Sequence, residues 1–143
     1  MNARMPTYGR LELRGDRWIL SDVPPHIAIR LKSVFASIPK TQTKVFDLPA
    51  SDMMSADLHW FCQRWPMSMS PVDRAELDRR RDRLEEDRAQ IESILVDDWV
   101  PSGDLMGFRP GYAPNTMQRQ AIELVHRTRR LLLGDDVGQG KSW

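Results

Sequence analysis

At 143 residues and 41% hydrophobic content, the chain has room for one ordinary core, or for a small domain followed by the edge of another. It is too short to be a large enzyme complete in itself. Lysine and arginine number 21 against 20 acidic residues, a formal charge of +1, which argues against a nucleic-acid coat and against an acidic tail.

No apolar run reaches bilayer-spanning length, and Met1-Asn2-Ala3-Arg4-Met5-Pro6 lacks the apolar stretch of a secretory leader. A soluble, cytoplasmic protein with no membrane partner is expected. The lone Cys62 cannot form an internal disulfide, and its place after Phe61 in an apolar helical pattern reads as a buried structural thiol.

Leu11 and Leu13 alternate with charged neighbours, Gly15-Asp16 offers a turn, and Trp18-Ile19-Leu20 follows, which together predict a β-hairpin. The Arg14-Gly15-Asp16 triplet has the letters of an adhesion motif, but here it is a hairpin turn. After Pro24-Pro25, the residues Ile27, Leu31, Val34, Phe35 and Ile38 keep the spacing of an amphipathic helix ended by Pro39, with Arg30 and Lys32 on its basic side. Lys44-Val45-Phe46-Asp47-Leu48 is strand-like. Pro49 and Ser51 then open a second helix to about Arg64, carrying Met54, Leu58, Phe61 and Cys62 inward. His59 lies in that helix with no second His or Cys at ligand spacing, so it reads as a surface or partly packed side chain rather than a metal ligand. Pro66 stops the helix, and Met67 and Met69 fill irregular core space.

Ser70-Pro71-Val72-Asp73 combines an N-cap serine, a proline at the first helical position and an acid three residues on, a start signal for a long helix to about Leu95. Leu77, Leu84 and Ile91 recur every seven residues, a narrow stripe that suits packing against one neighbour. The run Arg79-Arg80-Arg81 is interleaved with Asp78, Asp82, Glu85 and Glu86 at salt-bridging spacings and reads as a solvated face. Residues 97–114 hold Pro101, Pro110, Pro114, Gly103, Gly107 and Gly111 with no apolar period, and mark a domain boundary.

Beyond it, Asn115 or Thr116 caps a short helix on which Met117, Ala121, Leu124 and Val125 share a face, closed by Arg127-Thr128-Arg129-Arg130. Leu131-Leu132-Leu133 then has the continuous apolar character of a parallel strand buried on both faces. It feeds directly into Gly134-Asp135-Asp136-Val137-Gly138-Gln139-Gly140-Lys141-Ser142. Glycines in such a loop let backbone N–H groups converge on one point, an anion-binding nest reinforced by the positive end of the following helix. Lys141 would reach the β- and γ-phosphates of a nucleotide, and Ser142 would offer its hydroxyl oxygen to a magnesium ion bridging them. Against the general pattern G-x-x-x-x-G-K-[ST], Asp135 stands where the first glycine belongs.

The run from Leu132 to Ser142 resembles the first motif of Swi/Snf-related, superfamily two helicase-like ATPases, L-A-D-E-x-G-x-G-K-T, in which an acid stands at the position of Asp135. The departures are Asp136 for Glu, Gln139 for the customary Leu and Ser142 for Thr. Thr116-Met117-Gln118-Arg119-Gln120-Ala121 resembles that family's glutamine-bearing segment, with Gln118 preceding Lys141 by 23 positions. Met117 replaces the usual aromatic, and Gln120 is the substitute for Gln118. Asp57-Leu58-His59-Trp60-Phe61 and Arg64-Trp65-Pro66-Met67-Ser68-Met69-Ser70 resemble the N-terminal extension of bacterial and phage members.

The resemblance implies an α+β accessory domain over residues 1–96, a linker over 97–114 and the start of a RecA-like α/β motor over 115–143. It implies ATP and Mg2+ held by Asp135, Asp136, Val137, Gly138, Gln139, Gly140, Lys141 and Ser142, with Gln118 reading the adenine edge and Ser142 serving the metal. It further implies double-stranded DNA as partner of a longer protein, of which this chain is the N-terminal fragment. Hydrolysis in the family also needs an Asp-Glu pair and arginines from a second lobe, so these residues alone are expected to be inactive. The alternative is a DNA-contacting or protein-interaction module over residues 1–100 with a vestigial loop. It draws on Arg4, Arg10, Arg14, Arg17, Arg30, Lys32, Lys40 and Lys44 against Glu12, Asp16, Asp22 and Asp47 in the first 48 residues.

Overall fold

Strand β1 (Arg10–Arg14) and strand β2 (Arg17–Ser21) pair antiparallel with Arg14 opposite Arg17, so Gly15-Asp16 is the whole turn. Gly15, at the first turn position, has φ 61°, a left-handed value that glycine adopts without a Cβ clash. Strand β3 (Phe46–Pro49) joins the other edge of β2 antiparallel, with Trp18 opposite Leu48 and Leu20 opposite Phe46. The computed structural model describes residues 6–101, 103, 109 and 111–129. Among them the fold is a small α+β arrangement of one three-stranded antiparallel sheet, in the order β1-β2-β3, and four helices. The predicted strand Leu131-Leu132-Leu133 and the phosphate loop lie outside the described residues.

Helix α1 (Pro25–Val34) begins with proline in its first turn, where the missing N–H costs nothing. It ends four residues before the predicted Ile38. Phe35 leaves helical geometry at φ −104° and ψ 83°, and the residue before Pro39 is itself disfavoured in the helical region. Phe35 and Ile38 are nonetheless buried, because a turn with Ile38 N–H donating to Phe35 O keeps both side chains inward. Helix α2 (Asp52–Arg64) is capped by Ser51, whose Oγ accepts from Met54 N–H at 3.2 Å. Helix α3 (Pro71–Ile94) starts at Ser70, whose Oγ accepts from Asp73 N–H at 3.1 Å and donates to the Asp73 carboxylate at 2.8 Å. Helix α4 spans Thr116–Thr128.

Two compact units divide the chain, Met1–Glu85 and Glu86–Trp143, with the boundary inside α3. In the first, the inward faces of the strands place Leu11, Trp18, Leu20, Phe46 and Leu48 against Ile27 and Leu31 of α1, Leu58 and Phe61 of α2, Met67 and Leu77. Phe61 stands edge-on to Phe35 at 5.8 Å and tilted against Trp65 at 4.6 Å. Removing one such aromatic ring costs about 3–5 kcal/mol. The β1 edge is covered, and the outward donors of β3 are accounted for. Along β1, Tyr8 N–H donates to Pro66 O, Ser68 N–H to Gly9 O and Leu11 N–H to Ser68 O, so residues 66–68 form a short parallel partner. On β3, the outward Asp47 N–H donates to Gln42 Oε1 at 3.3 Å, and Pro49 has no N–H to offer. The side addition of residues 66–68 requires Gly9 at φ 127°, where a Cβ would lie 2.8 Å from Ser21 O.

Among the described residues, one fully buried side-chain hydrogen bond crosses this core. Trp18 Nε1–H donates to Ser55 Oγ at 2.8 Å, and both side chains are wholly buried. Ser55→Ala leaves the indole N–H without a partner and lowers stability by about 1–3 kcal/mol, and adding Trp18→Phe removes the orphan donor. A urea-unfolding double-mutant cycle checks this, with a coupling energy above about 0.5 kcal/mol expected.

Candidate functional site

Helix α4 presents the glutamine-bearing segment, and its N-terminus is a reciprocal capping box. Asn115 Oδ1 accepts from Gln118 N–H at 2.9 Å, and Gln118 Oε1 accepts from Asn115 N–H at 2.9 Å. The Gln118 carboxamide, expected from the resemblance to read an adenine edge, has its oxygen in the helix cap. The spacing Asn115-x-x-Gln118 is the sequence signature of this box, a signal separate from the family motif.

Gln120 is committed differently. Its Nε2 donates to Ile94 O at 2.9 Å and to Val96 O at 3.1 Å, satisfying carbonyls left over at the C-terminus of α3. With both amide hydrogens used, Gln120 has no donor left for a base edge in this arrangement. Arg119 donates to Gly103 O at 2.6 Å, while its Nε is buried without a hydrogen-bond partner. Arg127 links Glu123, at 3.0 Å, to Gln90 Oε1, also at 3.0 Å. The helix ends at Arg129, which caps it at φ 56° and donates its N–H to Val125 O at 2.8 Å. Of the apolar face predicted for α4, Leu124 is buried, but Met117 and Val125 are 57% and 45% exposed. The inward contacts come instead through Leu124 and the amide of Gln120.

The loop residues Asp135, Asp136, Val137, Gly138, Gln139, Gly140, Lys141 and Ser142 lie outside the described residues. Among the described residues no group of three or more His, Cys, Asp or Glu side chains could hold a metal ion, and no helix is long and apolar enough to cross a membrane.

The arginine run of α3 does more than face solvent. Glu76 accepts from Arg79, at 2.8 and 2.6 Å, and from Arg80 at 2.7 Å. The hydrogen bonds from Arg79 and then Arg80 lower its carboxyl pKa to about 2. Arg80 also donates to Ala50 O, just beyond β3. Arg81 NH1 lies 2.6 Å from His59 Nε2. Asp78 Oδ1 lies 3.3 Å from the same nitrogen. These contacts fasten α3 to α2. They were hidden in the sequence because alternating charges at helical spacings also describe a face in water. Trp60, by contrast, is 54% exposed on the outer side of α2.

Comparison with known protein families, with curated proteins and with solved structures gives no match in any of the three.

Burial pushes the Cys62 thiol pKa up to about 12, despite the opposing charge of Arg74, so little thiolate forms near neutral pH. Alkylation of Cys62 at pH 8 is therefore expected to be slow in the folded chain and fast in denaturant. Native-state labelling at the rate of a free thiol would contradict this.

Proposed function

We propose that this chain is the N-terminal part of a DNA-dependent, Swi/Snf-related ATPase of helicase superfamily two, and that it carries the phosphate-binding loop of an ATP·Mg2+ site. The observation that carries the reading is the run Leu131–Ser142: a continuous apolar segment, an acid at Asp135, and Gly138-Gln139-Gly140-Lys141-Ser142 in the order a phosphate nest requires. Helix α4 supports it by ending at Thr128, three positions before Leu131, which gives the order helix, apolar run, loop. On this reading residues 115–143 begin a RecA-like motor. Backbone N–H groups of the loop and Lys141 hold the phosphates, Ser142 serves the metal, and Gln118 meets the base while capping its helix.

A second reading treats residues 1–100 as a DNA-contacting or protein-interaction module whose loop is vestigial. The closed core of the first unit, with the β1 edge covered, favours it. Nucleotide binding separates the two. Titration of the full chain with ATP and Mg2+, read by calorimetry or by a fluorescent analogue, should give a dissociation constant of about a millimolar or tighter, about −4 kcal/mol. Lys141→Ala should abolish it. No binding by the parent chain, or equal binding by the variant, counts against the ATP-site reading.

A further inference from the structure

Among the described cations of the first unit, the three strand arginines and all those of α3 but Arg74 have carboxylate partners, and Arg64 of α2 stands over Trp65 instead. Arg10 and Arg14 share the carboxylate of Glu12, and Arg17 holds Asp47 at 2.7 Å. On α3, Arg79 and Arg80 take Glu76, and Arg81 takes Asp82. The stretch from Val23 to Phe46 is different. It contains Arg30, Lys32, Lys40 and Lys44 and no aspartate or glutamate. None of the four belongs to an ion pair among the described residues. The carboxylate next along the chain, Asp47, is already matched to Arg17.

Three of these cations belong to one segment, Lys32 near the end of α1 and Lys40 and Lys44 exposed on the loop that leads to β3. Lys32 Nζ donates to Lys40 O at 3.0 Å and stands 5.9 Å from the ring centre of Phe46. The end of α1, the connecting loop and the start of β3 therefore meet at Lys32, with Lys44 two positions before Phe46. Arg30 projects from the other flank of α1 and is not part of the group. Ser37, Thr41 and Thr43 are exposed on the same loop and add short hydroxyl donors of the kind that bind phosphate oxygens.

We infer that the α1–β3 loop, residues 36–45, together with Lys32, is a phosphate-backbone contact for double-stranded DNA. Unpaired lysines beside small hydroxyl side chains suit a row of phosphates, where each cation that neutralises one releases a counterion. The aromatic residues of this stretch, Phe35 and Phe46, are buried, so it offers no stacking platform for the bases of a single strand. The inference rests on the DNA-directed reading of the chain and does not depend on the loop at Lys141.

The test is fluorescence anisotropy of a labelled duplex titrated with the full chain between about 50 and 200 mM salt. Lys40→Ala with Lys44→Ala should reduce the slope of log K against log salt by about 2, while Lys40→Arg with Lys44→Arg keeps it. Arg17→Ala should leave the slope unchanged, since that arginine is matched one-to-one by Asp47. Duplex binding whose slope is the same in the lysine-to-alanine variant overturns this face alone. No duplex binding at low salt overturns the face and the DNA-directed reading together. Preference for vesicles of phosphatidylserine and phosphatidylcholine, or for a single strand, also overturns it.

Discussion

Trp18 brings an indole N–H into the middle of an apolar core, and leaving that donor unsatisfied would cost about 1–3 kcal/mol of a folding margin of about 5–15 kcal/mol. Ser55 provides the acceptor from α2, and the bond ties one position of the helix to one position of the sheet. The capping serine at Ser51, the buried Leu58 and Phe61 on the same helix, and the strand partners Leu48 and Phe46 beside Trp18 are all consistent with that placement. Hydrophobic burial supplies the bulk of the stability. The hydrogen bond supplies direction, which apolar contact lacks.

Charge is handled by the same logic at the surface. The strand arginines Arg10, Arg14 and Arg17 and the α3 residues Arg79, Arg80, Arg81 and Arg83 are each paired with a carboxylate. Several of these pairs are worth little as isolated surface contacts. Their significance is that Arg80 and Arg81 also reach Ala50 and His59, so a face that is charged throughout still holds two elements together. The α1–β3 loop lacks such carboxylates, and its lysines remain available to a partner of opposite charge.

Much of the first unit was legible in the sequence. The hairpin followed from alternation about Gly15-Asp16, and the helix starts at Ser51 and Ser70 followed from capping spacings, because these signals are local. What the sequence hid was non-local: the parallel partner made by residues 66–68, the Trp18–Ser55 bond across 37 positions, and the grip of α3 on His59. The end of α1 was read too late because Phe35 and Ile38 continue the apolar period after the helix has stopped. At Gln118 two signals coincide on one residue, a capping box and a family motif, and the structure displays the first. The phosphate-loop reading rests on a pattern of residue types at positions outside the described residues.

The central claim is that residues 115–143 carry a nucleotide site while the first unit stands on its own core. Amide hydrogen exchange of the full chain with and without ATP and Mg2+ tests it most directly, since exchange reports local opening element by element. The account predicts added protection at residues 116–128 and in the loop that follows, with exchange across residues 10–49 unchanged. No change in α4, or an equal change throughout the chain, would contradict it.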